Sequence, residues 1–246
     1  MPPLDCASQK MECDFRDGNF AQLIVSAAGL KTPEACYWRT RAYNQLTLEA
    51  FARLGDMPQS AEYHELMATV KFDRREFHDA AQEWQEALKL SPGNSYIQKE
   101  LALSLIRNKD LAGARTVLEP LVRQSPDSPE LNYMLGDTLL NLQQVEDALP
   151  HLKKAVQGDQ NLLVAHSSLA RAYLQTNDYQ HAIPHLKAAL PIDEDGSLHY
   201  QLARAYQSSG QAELAKAMLK DYQEIVKAST AANETTAKEV QISAPE

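Results

Sequence analysis

DALPHLKKAV (residues 147–156) recurs as HAIPHLKAAL (residues 181–190), 34 positions later, with a proline and a histidine in the same places. The second copy carries His181 and His185 at the i,i+4 spacing that puts two side chains on one helix face, as paired metal ligands would require. The recurrence points elsewhere. Pro150 matches Pro184 and His151 matches His185, so the spacing belongs to a duplicated helix. Two imidazoles do not complete a zinc site and no third ligand is placed by the sequence, so these histidines are expected on a solvated outer face. A proline beyond the first turn deletes one backbone hydrogen bond, which predicts slightly bent helices with the freed carbonyl toward water.

Shifting the chain against itself by the same interval aligns LSLIRNKDLAGARTVLEPL (103–121), TLLNLQQVEDALPHLKKAV (138–156) and AYLQTNDYQHAIPHLKAAL (172–190). Their apolar columns coincide, at the period of a two-helix structural repeat. One column holds Ala80, Ala114, Ala148, Ala182 and Ala215; another holds Ala68, Ala102, Gly136, Ala170 and Ala203. Small residues at fixed offsets on two helices let the helices approach closely, with larger side chains at the flanks. The flanks read Trp84, Leu118, Leu152, Leu186 and Leu219, and Ala87, Leu121, Ala155, Ala189 and Tyr222. Polar turns such as RNKD (107–110), QTND (175–178) and SSGQ (208–211) part the two helices, and SPGN (91–94), SPDSP (125–129) and PIDEDG (191–196) part successive pairs.

As a set these columns resemble the tetratricopeptide repeat family over residues 61–226, in five units: 61–94, 95–128, 129–162, 163–195 and 196–226. Pro92 and Pro126 match the family's closing proline, Gln160 and Glu194 replace it, and Lys71 stands where the family prefers Tyr. Lys71 is expected either to lay its alkyl stem on the apolar face with its amine in water, or to mark a slip of register. The resemblance implies an all-α, right-handed superhelical solenoid of antiparallel helix pairs. It also implies a concave groove lined by the first helix of each unit, where a peptide or helix of a partner lies. Carrying the groove positions over singles out Lys99, Arg107, Tyr133, Asp137, Arg171, Tyr200 and Arg204 as partner-binding candidates. The lining is acidic near Glu62, Glu65 and Asp73 and basic or aromatic near Arg171, Tyr200 and Arg204. The C-terminal half of the groove is therefore expected to hold an acidic ligand. The Lys and Asn with which some members clamp a partner's terminal carboxylate are replaced by Glu65 and Thr69, Lys99 and Leu103, or Tyr133 and Asp137.

Residues 14–60 read as degenerate repeats capping the stack, residues 1–13 as a flexible N-terminus, and residues 227–246 as a disordered tail without aromatics. With 24 basic against 33 acidic residues the net charge is -9, which disfavours nucleic acid. No apolar run spans a bilayer. MPPLDCASQKMECDF (1–15) lacks the basic start and apolar middle of a secretory signal. Cys6, Cys13 and Cys36 form no CxxC pair. Free thiols in a reducing compartment are expected, with a Cys13–Cys36 disulfide as the alternative. A cytoplasmic location follows, or a periplasmic or secreted one if an upstream signal has been removed. His64-Glu65 begins like HExxH but meets Ala68 where the second His belongs, and neither GxGxxG nor GxSxG occurs. The function expected is a non-catalytic interaction scaffold without metal or cofactor. The competing expectation is a structural subunit that oligomerises through an apolar strip of Met218, Tyr222 and Ile225 on its last helix.

Overall fold

The computed structural model describes residues 6, 9–55 and 60–239, and their regular structure is entirely helical. The chain divides into two compact units, residues 1–63 and 64–246.

In the first unit, α1 (Lys10–Arg16), α2 (Phe20–Ala27) and α3 (Pro33–Gly55) enclose a small core of Leu23, Ala27, Ala35 and Ala42. Phe15 meets Phe20 edge-on at 5.2 Å, and the Arg41 guanidinium lies 4.7 Å over the Phe15 ring, a cation–π contact. Two expectations are corrected here. Helix begins at Lys10, inside the stretch expected to be flexible, and Cys6 is disulfide-bonded to Cys13 while Cys36 is free and exposed. The pairing joins neighbours on either side of the helix start, which cysteine spacing alone does not distinguish from a longer bridge. It also removes the cysteine argument for a reducing compartment. The rest of the expected flexible N-terminus lies outside the described residues.

In the second unit the helices pair as first and second members: α4 (Ala61–Asp73, entering the unit at His64) with α5 (Phe77–Leu90), and α6 (Ser95–Arg107) with α7 (Leu111–Gln124). The series continues as α8 (Pro129–Asn141) with α9 (Val145–Gly158), α10 (Leu163–Gln175) with α11 (Tyr179–Ala189), and α12 (Ser197–Ser208) with α13 (Ala212–Glu239). Each second helix packs on the first helix of the next pair, as α5 does on α6 and α7 on α8.

Local chemistry sets the helix ends. Asn94 accepts from the Tyr96 and Ile97 amides, Asp110 from Gly113, Ser128 from Leu131 and Asp178 from His181, satisfying donors that a first turn leaves bare. Every first helix ends the same way: the Lys109 amide donates to Ile106 O (3.0 Å) and the Asp110 amide to Leu105 O (2.9 Å), and the matching pair of bonds recurs in the other four turns. This is the Schellman closure, which needs a left-handed residue. That residue is Arg75, Lys109, Gln143, Asn177 and Gly210, with φ of 63°, 66°, 63°, 57° and 76°. Four of the five carry a side chain, at a conformational cost of about 1 kcal/mol each.

The small columns are the seam of the stack: Ala68, Ala80, Ala102, Ala114, Ala148, Ala170 and Ala182 have no exposed surface. At Gly136 the approach is closest, since an added Cβ would lie 2.7 Å from Leu152 Cγ and 3.1 Å from its backbone nitrogen. Trp84, Leu118, Leu152 and Leu186 are buried as their column predicts, whereas Leu219 is 38% exposed, since among the described residues no first helix covers it. The expected disordered tail is also corrected: α13 continues unbroken from Ala212 to Glu239, and residues 240–246 lie outside the described residues. At the mid-helix prolines Pro150 and Pro184 the outer side is exposed, so a bare carbonyl nearby can reach water.

Lys71 keeps the register, and its amine is not free in water. It pairs with Glu83 Oε1 at 2.6 Å while Glu83 Oε2 lies 2.7 Å from His64 Nδ1. Burial of Glu83 opposes its ionisation, but the hydrogen bonds and charges of Lys71 and His64 prevail and hold its carboxyl below the usual 4.5.

Two stability measurements follow. Gly136→Val should cost about 1–3 kcal/mol in chemical denaturation because the Leu152 backbone cannot retreat; wild-type stability in this variant would refute direct helix contact there. Gln143→Gly should raise stability by up to about 1 kcal/mol by relieving the left-handed residue.

Candidate functional site

The first helices and the turns after them enclose two cavities. The larger, about 710 Å³, spans three successive pairs: Phe72 and Asp73 from α4, Leu103, Ile106 and Arg107 from α6, and Tyr133, Asp137 and Asn141 from α8. The turns add Arg75 and Lys109, and α5 adds Phe77. The smaller, about 200 Å³, lies farther along and is lined by Arg171, Leu174, Gln175, Gln201 and Arg204 with Tyr179.

Of the sequence-predicted residues, Arg107, Tyr133 and Asp137 meet in the first cavity and Arg171 and Arg204 in the second. Asp137 ties the two groups together. Its Oδ1 accepts from Arg171 Nη2 at 2.6 Å and from Ser168 Oγ at 2.7 Å, and its Oδ2 accepts from Asn141 at 3.0 Å. Arg171 is thus committed within the chain and helps hold α10 to α8, leaving Arg204 as the freer cation of the second cavity. Lys99 lies in neither cavity and leans on Glu130 at 3.3 Å. Tyr200 is 44% exposed and meets Tyr222 at 5.5 Å, which places it at the end of the stack. Tyr133 is partly buried. Burial, then the Asp137 charge, push its phenol above the usual 10.0 against the pull of Arg171 and Arg107, so it stays a neutral donor. Arg75, Lys109 and Phe77 escaped sequence reasoning because only first-helix positions were carried over; the left-handed turn position, at the repeat spacing, is the signal that locates the first two.

The histidines expected on a solvated face divide. His181 is exposed, bonded to Asp178 at 2.7 Å. His151 and His185 are half-buried between helices: His151 Nδ1 donates to Asn132 Oδ1 at 3.0 Å, and His185 Nδ1 meets His166 Nδ1 at 3.0 Å. Of the two expected on a solvated face, His185 is thus the correction, and its reason is the repeat itself, which sets position 185 against 166 across its helix pair as it sets 151 against 132. His166 Nε2 faces the Gln160 carbonyl at 3.2 Å and donates to it, so its Nδ1 accepts and His185 donates. Among the described residues no group of three or more His, Cys, Asp or Glu is placed to hold a metal ion. No described helix is long and apolar enough to cross a membrane.

Burial lowers the proton affinity of both His151 and His185. The Lys154 charge adds to this at His151 and the His166 and His181 charges at His185, so both titrate below the usual 6.5. The unfolded chain then takes up more protons than the folded one as pH falls through that range. The stability of the neutral pairs is complete above it and lost below it. We expect stability to drop from about pH 7.5 to about pH 5.5, and His166→Asn, which copies the Asn132–His151 arrangement, to flatten that drop. An unchanged pH profile in the variant would remove the His166–His185 contact as a source of acid sensitivity.

Tetratricopeptide repeat profiles match residues 65–129, 105–165, 139–199 and 196–225. Solved structures share the fold: MamA (41-end) from Desulfovibrio magneticus RS-1 is 19% identical with a TM-score of 0.63, covering 70% of this chain and 98% of that one. YrrB, described as a TPR protein with an unusual peptide-binding site, is 21% identical with a TM-score of 0.57, covering 72% and 92%. A curated relative, Bacteriophage adsorption protein A of Escherichia coli (strain K12), is 31% identical over 108 residues, 42% of this chain. The match spans only 11% of that protein's length. With its repeated helix pairs, recurring closures and small-residue seam, the chain belongs to the tetratricopeptide repeat family.

Proposed function

We propose that the chain is a non-catalytic scaffold that holds a peptide or helix of a partner protein against the face formed by its first helices. One observation carries this: a cavity of about 710 Å³ walled by three successive repeats and lined by both apolar and polar side chains, in the size range of a ligand site. The cavity favours holding over chemistry. Of its two carboxylates, Asp137 is already bonded to Arg171, Ser168 and Asn141, and its phenol is held protonated. The peptide-binding site ascribed to YrrB agrees with this reading at the level of the fold.

The oligomerising strip has less support. Met218, Tyr222 and Ile225 are half-buried in their own chain, with Tyr222 lying over Gly196 and against Tyr200.

A photo-crosslinking residue in place of Tyr133 should trap a partner protein in source cells, while one in place of the outward Lys187 should not. Crosslinks from position 187 or from Leu214 on α13, with none from 133, would move the partner off this face. Charge reversal at Arg171 is a poor probe, since it sets a second carboxylate against Asp137.

A further inference from the structure

We infer that the larger cavity recognises an acidic segment of the partner, an apolar side chain flanked by carboxylates. This rests on the first-helix face being the docking surface and adds the chemistry of what docks there. It also moves the acidic ligand from the C-terminal half of the groove, where the linear sequence put it, to the first three repeats.

Part of the cavity's mixed lining is apolar. Phe72 and Phe77 meet edge-on at 5.2 Å and, with Leu103, Ile106 and Tyr133, present half-buried carbon surface to one bound side chain. Three cations surround it: Arg107 at the end of α6, and Arg75 and Lys109 one repeat apart on the left-handed turns. Among the described residues none of the three forms an ion pair or a side-chain hydrogen bond. Of the two acids in the lining, Asp137 is neutralised by Arg171, so only Asp73 opposes them. A chain of net charge -9 thus carries a locally cationic cavity whose lining also includes aromatic and aliphatic side chains. Two of its three cations, Arg75 and Lys109, sit one repeat apart on the Schellman closures, and both line the cavity. Charge complementarity therefore selects an anion, and the Phe72, Phe77, Leu103 and Ile106 side chains in the same lining favour a peptide side chain over a bare phosphate chain. Arg107 and Arg75 offer forked donors to carboxylates, while Lys109 acts as a point charge.

The test is selection of random peptides displayed on phage against the intact chain. Enriched peptides are then synthesised with a fluorescent label and titrated. Enrichment of Asp and Glu around Leu, Ile or Phe is expected. Affinity should fall about tenfold or more in Arg107→Glu/Lys109→Glu and weaken with rising salt, while Lys187→Glu leaves it unchanged. Helical content by circular dichroism must match wild type in both variants. Acidic peptides that survive the double substitution but are lost in Arg204→Glu would place the anion site in the smaller cavity, overturning this inference while leaving the docking face intact. Enriched peptides lacking acidic residues would overturn the chemistry alone. An oligothymidylate strand bound more tightly than the best peptide, and lost in the double variant, would reassign the cations to a nucleic-acid backbone. Failure to enrich any peptide would remove both the docking face and the inference.

Discussion

Two helices can touch along their length only where no side chain stands between them, and the small-residue seam of this stack meets that constraint at every repeat. Where Gly136 faces Leu152 the approach leaves no room for a methyl group, and the alanines at the matching positions are fully buried. The larger flanking residues then interlock on either side, so each pair offers an apolar surface to the next, and burial of that surface drives the assembly. A repeat alone would leave half of it in water, as Leu219 shows at the end of the series.

The same repetition that builds the core also builds the site. Closing each first helix with a left-handed residue swings a side chain clear of the helix, and the repeat interval brings successive ones to one edge. Arg75 and Lys109 line one cavity although they are distant in sequence. Opposite them, the hydrogen bonds of Asp137 to Arg171 and Ser168 join α8 to α10 and take one carboxylate out of the groove's charge. Local charge at the mouth is thus set by which acids are spent internally, and the chain's total charge predicts it poorly.

Polar residues inside the stack follow the register too. His64 with Glu83, Asn132 with His151, and His166 with His185 occupy the same pair of positions in their repeats, each bonded across one helix pair. The matching Gln98 is half-buried, and its Oε1 has no hydrogen-bond partner. The column is tolerated where both members can bond, since a desolvated polar group costs far more unpaired than paired. It gives the stack a built-in sensitivity to acid through His151 and His185.

The sequence by itself determined the repeat, its interval, the seam of small residues and the residues that flank it, because these follow from local helical periodicity multiplied by copying. It also placed Arg107, Tyr133 and Asp137 on the first helices. It misjudges features whose outcome depends on a distant partner: it places His185 in solvent, offers Lys71 a wet amine or a slipped register, and reads Cys6 as a free thiol. The helix through residues 227–239 was missed for a different reason. Its apolar pattern is weak, but Ala, Lys and Glu favour helix without one. Only the tertiary structure decided that Arg171 is spent on Asp137 while Arg75, Arg107 and Lys109 form no ion pair among the described residues. The physical reason is that pairing of charges is settled by distance in space, and the turns that set those distances close through backbone hydrogen bonds, which four different side chains accommodate at a modest conformational cost relative to glycine.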